Sequence, residues 1–164
     1  MRAAPIALLL VLLSVAPAHA ADPRTSPRLW ATVNVCDTER NPDTLGIRAS
    51  MPGSGRKRES MWMRFRVQYF SQREQLWHNF TVKGTDSGAV RVASHARYKR
   101  REAGFLFPFT PEVGDRYVLR GSVEFQWRRG GRVVRRVKEL TTGNHKPAVA
   151  DPKGYSAATC EILG

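Results

Sequence analysis

The chain has 164 residues, with 27 Lys+Arg against 14 Asp+Glu and a formal net charge of +13. That length suits one domain, and 41% hydrophobic with 25% charged residues is the composition of an ordinary globular chain rather than a disordered one. Two cysteines exclude a disulfide-dense miniprotein and a four-cysteine zinc site.

Arg2 forms a short positive region, Ile6 to Val15 is an apolar run interrupted by Ser14, and Ala18-His19-Ala20 is a small-residue cleavage site. These parts in this order read as a secretory signal peptide over residues 1–20. An uncleaved anchor is the alternative, but the run is shorter than the roughly 20 apolar residues that a span needs. The mature chain is therefore expected to be secreted and extracellular, with no integral membrane segment. An oxidising compartment favours a Cys36–Cys160 disulfide over two separate buried thiols. Such a bond would close a loop of about 125 residues, worth about 5 kcal/mol in the chain-entropy picture.

Residues 21–28 (Ala-Asp-Pro-Arg-Thr-Ser-Pro-Arg) read as a disordered leader. From there the chain follows period two almost throughout. Leu29 to Cys36 alternates, with Ala31, Val33 and Val35 on one face and Trp30, Thr32 and Asn34 on the other. Asn41-Pro42-Asp43 reads as a turn, and Leu45 to Met51 as the next strand. Ser60 to Phe70 gives the clearest pattern: Met61, Met63, Phe65, Val67 and Tyr69 on one face, Trp62, Arg64, Arg66, Gln68 and Phe70 on the other, as in a half-buried antiparallel strand. Trp77 to Val82 is a short strand, a further one starts at Val90, and Ala96 to Arg101 is a candidate for another. Phe105 to Phe109 holds Pro108 and fits a strand end or edge. Tyr117 to Trp127 alternates again, Gly130-Gly131 makes a hairpin, and Val133 to Leu140 returns. Residues 141–156 read as a loop, and Ala157 to Ile162 as a last strand carrying Cys160.

The hairpin admits two registers. A two-residue loop at Gly130-Gly131 pairs Trp127 with Val134. A three-residue loop, Arg129 to Gly131, pairs Trp127 with Val133 and sets Glu124 against Arg136; it buries more apolar side chain and is the expected one. About seven to nine short strands with frequent turns predict one all-β domain over residues 29–164, an antiparallel β-sandwich, with a small β-barrel as the alternative.

Gly114-Asp115-Arg116-Tyr117-Val118-Leu119 resembles the corner that opens strand F of immunoglobulin-like domains, with Tyr117 in the position of the corner tyrosine. The run Tyr117 to Arg136 is similar to the last hairpin of secreted bacterial Ig-like domains such as the CARDB group. The resemblance departs from the family at Leu119, which stands where an immunoglobulin cysteine would. It implies binding or structural duty in the cell envelope and assigns no residue a role.

For chemistry, His78, His95 and His145 fall in no metal-binding or catalytic spacing, the serines lack a nucleophile elbow, and the glycine-rich stretches match no phosphate loop. Asp37 and Glu39 are read as a solvated strand exit. The expectation is a protein without catalytic, metal or cofactor site, acting as a binding or interaction module of the bacterial cell envelope. The pronounced feature is basic: Arg56-Lys57-Arg58, then Arg97 with Lys99-Arg100-Arg101, then Arg128, Arg129, Arg132, Arg135 and Arg136. Guanidinium groups donate paired hydrogen bonds to carboxylate and phosphate. Arg128, Arg129 and Arg132 at the hairpin tip are the candidate anion-binding residues, for an extracellular acidic glycan, wall phosphate polymer or DNA. The alternative is a solvated basic surface that keeps the protein in solution. The partner expected is an anionic polymer or an envelope protein.

Overall fold

The computed structural model describes residues 21–97 and 99–164; the signal peptide expected over 1–20 lies outside them. The protein is all-β. Nine strands are found among the described residues: β1 (Trp30–Thr38), β2 (Asn41–Met51), β3 (Ser60–Ser71), β4 (Leu76–Asn79), β5 (Asp86–Ala93), β6 (Arg101–Pro108), β7 (Arg116–Arg129), β8 (Arg132–Leu140) and β9 (Cys160–Leu163). They form two antiparallel sheets. One has the order β1-β2-β6; the other has the order β4-β3-β7-β8, with β5 also paired to β3 and β9 to β7.

The alternation read from the sequence sets the core between the sheets. Ala31, Val33, Leu45, Ile47, Ala49, Met51 and Phe107 come from the small sheet; Met61, Met63, Phe65, Val67, Leu119, Val123, Phe125, Trp127 and Ile162 come from the large one. Phe65 is 1% exposed. Arg64 and Arg66, on the opposite face of β3, are half-buried because both reach Asp86.

Three local readings change. The β1–β2 turn lies at Glu39-Arg40, and Asn41-Pro42-Asp43 already belongs to β2. Side-chain acceptors fix it: the amide of Asn41 donates to Thr38 Oγ1 at 3.2 Å and that of Asp43 to Asp37 Oδ1 at 2.8 Å. Among the described residues of the segment 96–100 none belongs to a strand, so the candidate strand from Ala96 to Arg101 is not formed there; Ala96 makes a single bridge to Arg56, and β6 starts at Arg101. The β7–β8 loop has two residues, not three: Arg129 pairs with Arg132, and Gly130 and Gly131 have φ of +53° and +80°, the left-handed conformations a tight two-residue hairpin requires. A bulge then shifts the ladder, so Trp127 faces Arg135, Phe125 faces Val137 and Glu124 faces Lys138. The extra residue on β8 re-aims Arg135 and takes Arg136 away from Glu124.

The outer face of β1 is not solvated. Residues 141–158 cross it: Val33 bridges Ala157, Thr32 Oγ1 lies 2.7 Å from Ser156 Oγ, Asn34 Nδ2 donates to the Val149 carbonyl, and His145 stacks on Trp30 at 4.8 Å. Burial under this strap lowers the pKa of His145. The strap explains why Trp30, Thr32 and Asn34 are as buried as the core face beside them. Cys36 and Cys160 are bonded, with Cα atoms 5.4 Å apart, and tie β1 to β9. In the segment 21–28, Pro23–Thr25 make one 3-10 turn capped by Asp22, and Pro23 is buried.

Candidate functional site

Strand direction decides where the basic segments go. The β2–β3 loop (residues 52–59), the β5–β6 loop (94–100) and the β7–β8 tip (129–132) leave the sandwich at the same end. Direct contacts join them. The Ala96 amide donates to the Glu59 carbonyl, and His95 Nδ1 lies 2.9 Å from the Lys57 carbonyl oxygen. The Arg97 carbonyl passes so close over Gly53 that a Cβ there would overlap it. Trp127 Nε1 donates to the Pro52 carbonyl at 3.2 Å. Three basic runs that are far apart in sequence therefore form one cationic pole.

Glu59 is the hub of that pole. It is fully buried, yet it follows three cationic residues in a loop. Its carboxylate accepts from Ser54 Oγ at 2.7 Å, Arg135 at 2.7 Å and Arg129 at 3.3 Å, with Arg56 at 3.8 Å. Burial raises its pKa, but the hydrogen bonds from Ser54 and Arg135 outweigh that and hold it below its ordinary value of 4.5. An ionised Glu59 thus anchors one arginine from each side of the cluster and sets the spacing of the guanidinium groups around it. Among the described residues, Lys57, Arg58, Arg97 and Arg132 are exposed and make no ion pair.

The cationic surface continues onto the outer face of the large sheet. The Arg128 guanidinium carbon lies over the Trp62 ring, 4.3 Å from its centroid, and its Nε donates to Gln126 Oε1. Trp62 is held by a hydrogen bond from its Nε1 to Ser60 Oγ. Arg91 approaches the same ring at 6.0 Å. Further along, Arg120 stacks on Trp77 at 4.2 Å. A guanidinium stacked on an indole keeps its edge N–H groups turned outward and loses little freedom on meeting an anion. Arg136 and Lys138 flank this strip on β8, and Asp86 and Glu124 are the carboxylates set against it.

The three residues singled out from the sequence divide. Arg132 projects from the tip, Arg129 is half committed to Glu59, and Arg128 is committed to Trp62. All three lie in the same cationic region, but they are one edge of it. The reading missed Arg56, Lys57, Arg58 and Arg97 as partners of the hairpin, because nothing in local spacing tells which loops share an end. It also passed over Glu59, which directly follows the Arg56-Lys57-Arg58 run. Among the described residues, no group of three or more His, Cys, Asp and Glu side chains is placed to hold a metal ion, and no helix is long and apolar enough to cross a membrane.

No protein-family model matches this chain, and neither the curated proteins nor the solved structures contain a match to it.

Proposed function

We propose that this protein is an exported, non-enzymatic β-sandwich that binds anionic polymer outside the cytoplasm through its cationic pole. The observation that carries the reading is the convergence of three basic segments on Glu59: Arg56 from the β2–β3 loop and Arg129 and Arg135 from the hairpin surround its buried carboxylate, and the β5–β6 loop bonds its backbone carbonyl through the Ala96 amide. A basic surface that served solubility alone would have no need of a buried acid to space its arginines. The strip of Arg128 on Trp62 extends the same chemistry along the sheet, as a chain-like ligand requires. Carboxylate, sulfate and phosphate groups all fit paired guanidinium donors, so acidic glycan, wall phosphate polymer and DNA belong to one ligand class here.

The immunoglobulin-like resemblance fits this role. The order β1-β2-β6 facing β4-β3-β7-β8 corresponds to strands A-B-E facing C′-C-F-G. Tyr117 opens β7 as a corner tyrosine would, with its hydroxyl donating to Asp115 Oδ2 at 2.7 Å rather than to the backbone. Such sandwiches present ligands to loops gathered at one end, which is where the basic loops lie. Amide shift mapping by NMR with dextran sulfate tests the proposal. Shifts are expected in the β2–β3 loop, the β5–β6 loop and the hairpin tip, and neutral dextran should give none. Equal shifts with neutral dextran, or shifts only elsewhere, would overturn it.

A further inference from the structure

At one margin of the small sheet, β6 pairs with β2 and with no other strand. One hydrogen bond fixes the direction of its backbone groups. The Phe109 amide donates to the Asp43 carbonyl, so the backbone of Phe109 points at β2. The β2–β6 register is uninterrupted, so the same holds at every second residue: Phe107, Phe105, Ala103 and Arg101. The backbone groups of Glu102, Gly104 and Leu106 therefore point away from β2, and among the described residues they have no hydrogen-bond partner. Pro108 falls in the same outward series but carries no N–H, which ends the stretch that can pair. The edge is open to solvent: Phe105 is 38% and Leu106 48% exposed.

The other margins carry the devices that keep sheet edges from pairing: cover, short length, irregular ladders and charge. The outer edge of β1 is taken by the strap, where Val33 and Ala157 exchange hydrogen bonds and Thr142 donates to the Ala31 carbonyl. β4 and β9 have four residues each. β5 meets β3 through a ladder with two irregularities. β8 carries Arg132, Arg135, Arg136 and Lys138. From Ala103 to Phe107, β6 has none of these.

We propose that β6 pairs with β6 of a second copy of this chain, antiparallel and centred on Gly104, so that two small sheets join into one. In this register Gly104 meets Gly104 and Glu102 meets Leu106, and every outward N–H finds an outward C=O. The stretch is complementary to its own reverse, as a two-fold interface requires. Ala103 lies opposite Phe105 and Arg101 opposite Phe107, so no like charges are set directly against each other. The same pairing through β8 would bring Arg136 against Arg136 at its centre. One strand paired with its like is a small interface, below about 1,200 Å², so association depends on concentration. The cationic pole lies beyond the Arg101 end of β6 and takes no part, so this inference stands apart from polymer binding.

Sedimentation velocity of the mature folded protein, with salt added to screen the two positive copies from each other, tests this. The mass is expected to rise from one chain toward two between about micromolar and millimolar protein. Amide hydrogen exchange locates the contact. The Glu102, Gly104 and Leu106 amides should exchange severalfold more slowly at the high concentration, while those of Ala103 and Phe105, already bonded to β2, should change little. Leu106→Pro removes an outward donor at an exposed edge position and should abolish both effects. Leu106→Glu keeps the donor and sets a carboxylate opposite Glu102, so it should weaken association more than Leu106→Lys does. Circular dichroism and an unchanged thermal transition check that the variants fold. A single chain at millimolar protein would overturn the proposal and leave the edge to an extended segment of another protein. A dimer that leaves the three outward amides unprotected, or folded Leu106→Pro and Leu106→Glu variants that associate like the native chain, would overturn it as well.

Discussion

Glu59→Gln keeps the shape of the hub and removes its charge. In the native protein the carboxylate accepts from Ser54 and from Arg135, both at 2.7 Å, and the Arg135 side chain is 19% exposed. A hydrogen bond to a charged group contributes about 1.5–3 kcal/mol. Arg129 and Arg56 are 52% and 57% exposed, so solvent screens them and each adds under about 1 kcal/mol. The replacement should therefore cost about 2–4 kcal/mol: the Gln carbonyl oxygen can take the place of Oε2 and still accept from Ser54 and Arg135, but the half-buried Arg135 loses its counter-charge and the new amide NH2 faces Arg129 and Arg56. Urea unfolding at pH 7 reads this as a lower midpoint at unchanged slope. The pH dependence has a definite sign. The folded pKa of Glu59 lies below 4.5, so its contribution is complete above the unfolded value and is lost as pH falls through the folded one. The gap between native protein and variant should be widest at neutral pH and close progressively below about pH 4.5. A variant within about 0.5 kcal/mol of native at pH 7, or a gap that persists unchanged at pH 3, would refute the hub.

Phe65→Ala should cost about 3–5 kcal/mol in the same assay, because Phe65 is enclosed by both sheets and its loss leaves a cavity. Reducing the Cys36–Cys160 bond releases a sequence separation of 124 residues and should lower stability by up to about 5 kcal/mol, seen as an earlier thermal transition with reductant present. Asp86 accepts from Arg64 and Arg66, which hold its carboxyl down to about 2; NMR titration should find its midpoint there. Asp86→Asn should cost under about 1 kcal/mol, because these groups are about a third exposed and solvent screens them.

The sandwich was legible because β3 and β7 alternate without interruption, and a single register puts Met61 to Val67 and Val123 to Trp127 inside. The disulfide was legible from the export signal read at residues 1–20 and from the cysteine count. The hairpin register was not, because the bulge near Val134 is set by what Arg135 can reach, and its partner Glu59 lies 76 residues away. The Asn41-Pro42-Asp43 turn was misplaced for a similar reason: side-chain acceptors at Asp37 and Thr38 outcompeted the proline signal. The strap over β1 carried no periodicity, so the burial of Thr32 and Asn34 could not be foreseen. The cationic pole is a property of topology. Its parts were visible as runs, and only the strand order brings them to one end.

The most direct test of the account is the salt dependence of dextran sulfate binding by the mature protein and by a variant with Lys57, Arg58, Arg97 and Arg132 all changed to Gln. These side chains are exposed and unpaired among the described residues, so the fold should be kept. Each contact that displaces a counterion steepens the fall of affinity with salt. The account predicts a steep fall for the native protein, and weaker binding with a shallower slope for the variant. Arg136→Gln should also weaken binding, since Arg136 faces Gln126 and is not neutralised by Glu124. Native binding that ignores salt, or a fourfold variant with native affinity and slope, would contradict the cationic pole as the binding surface.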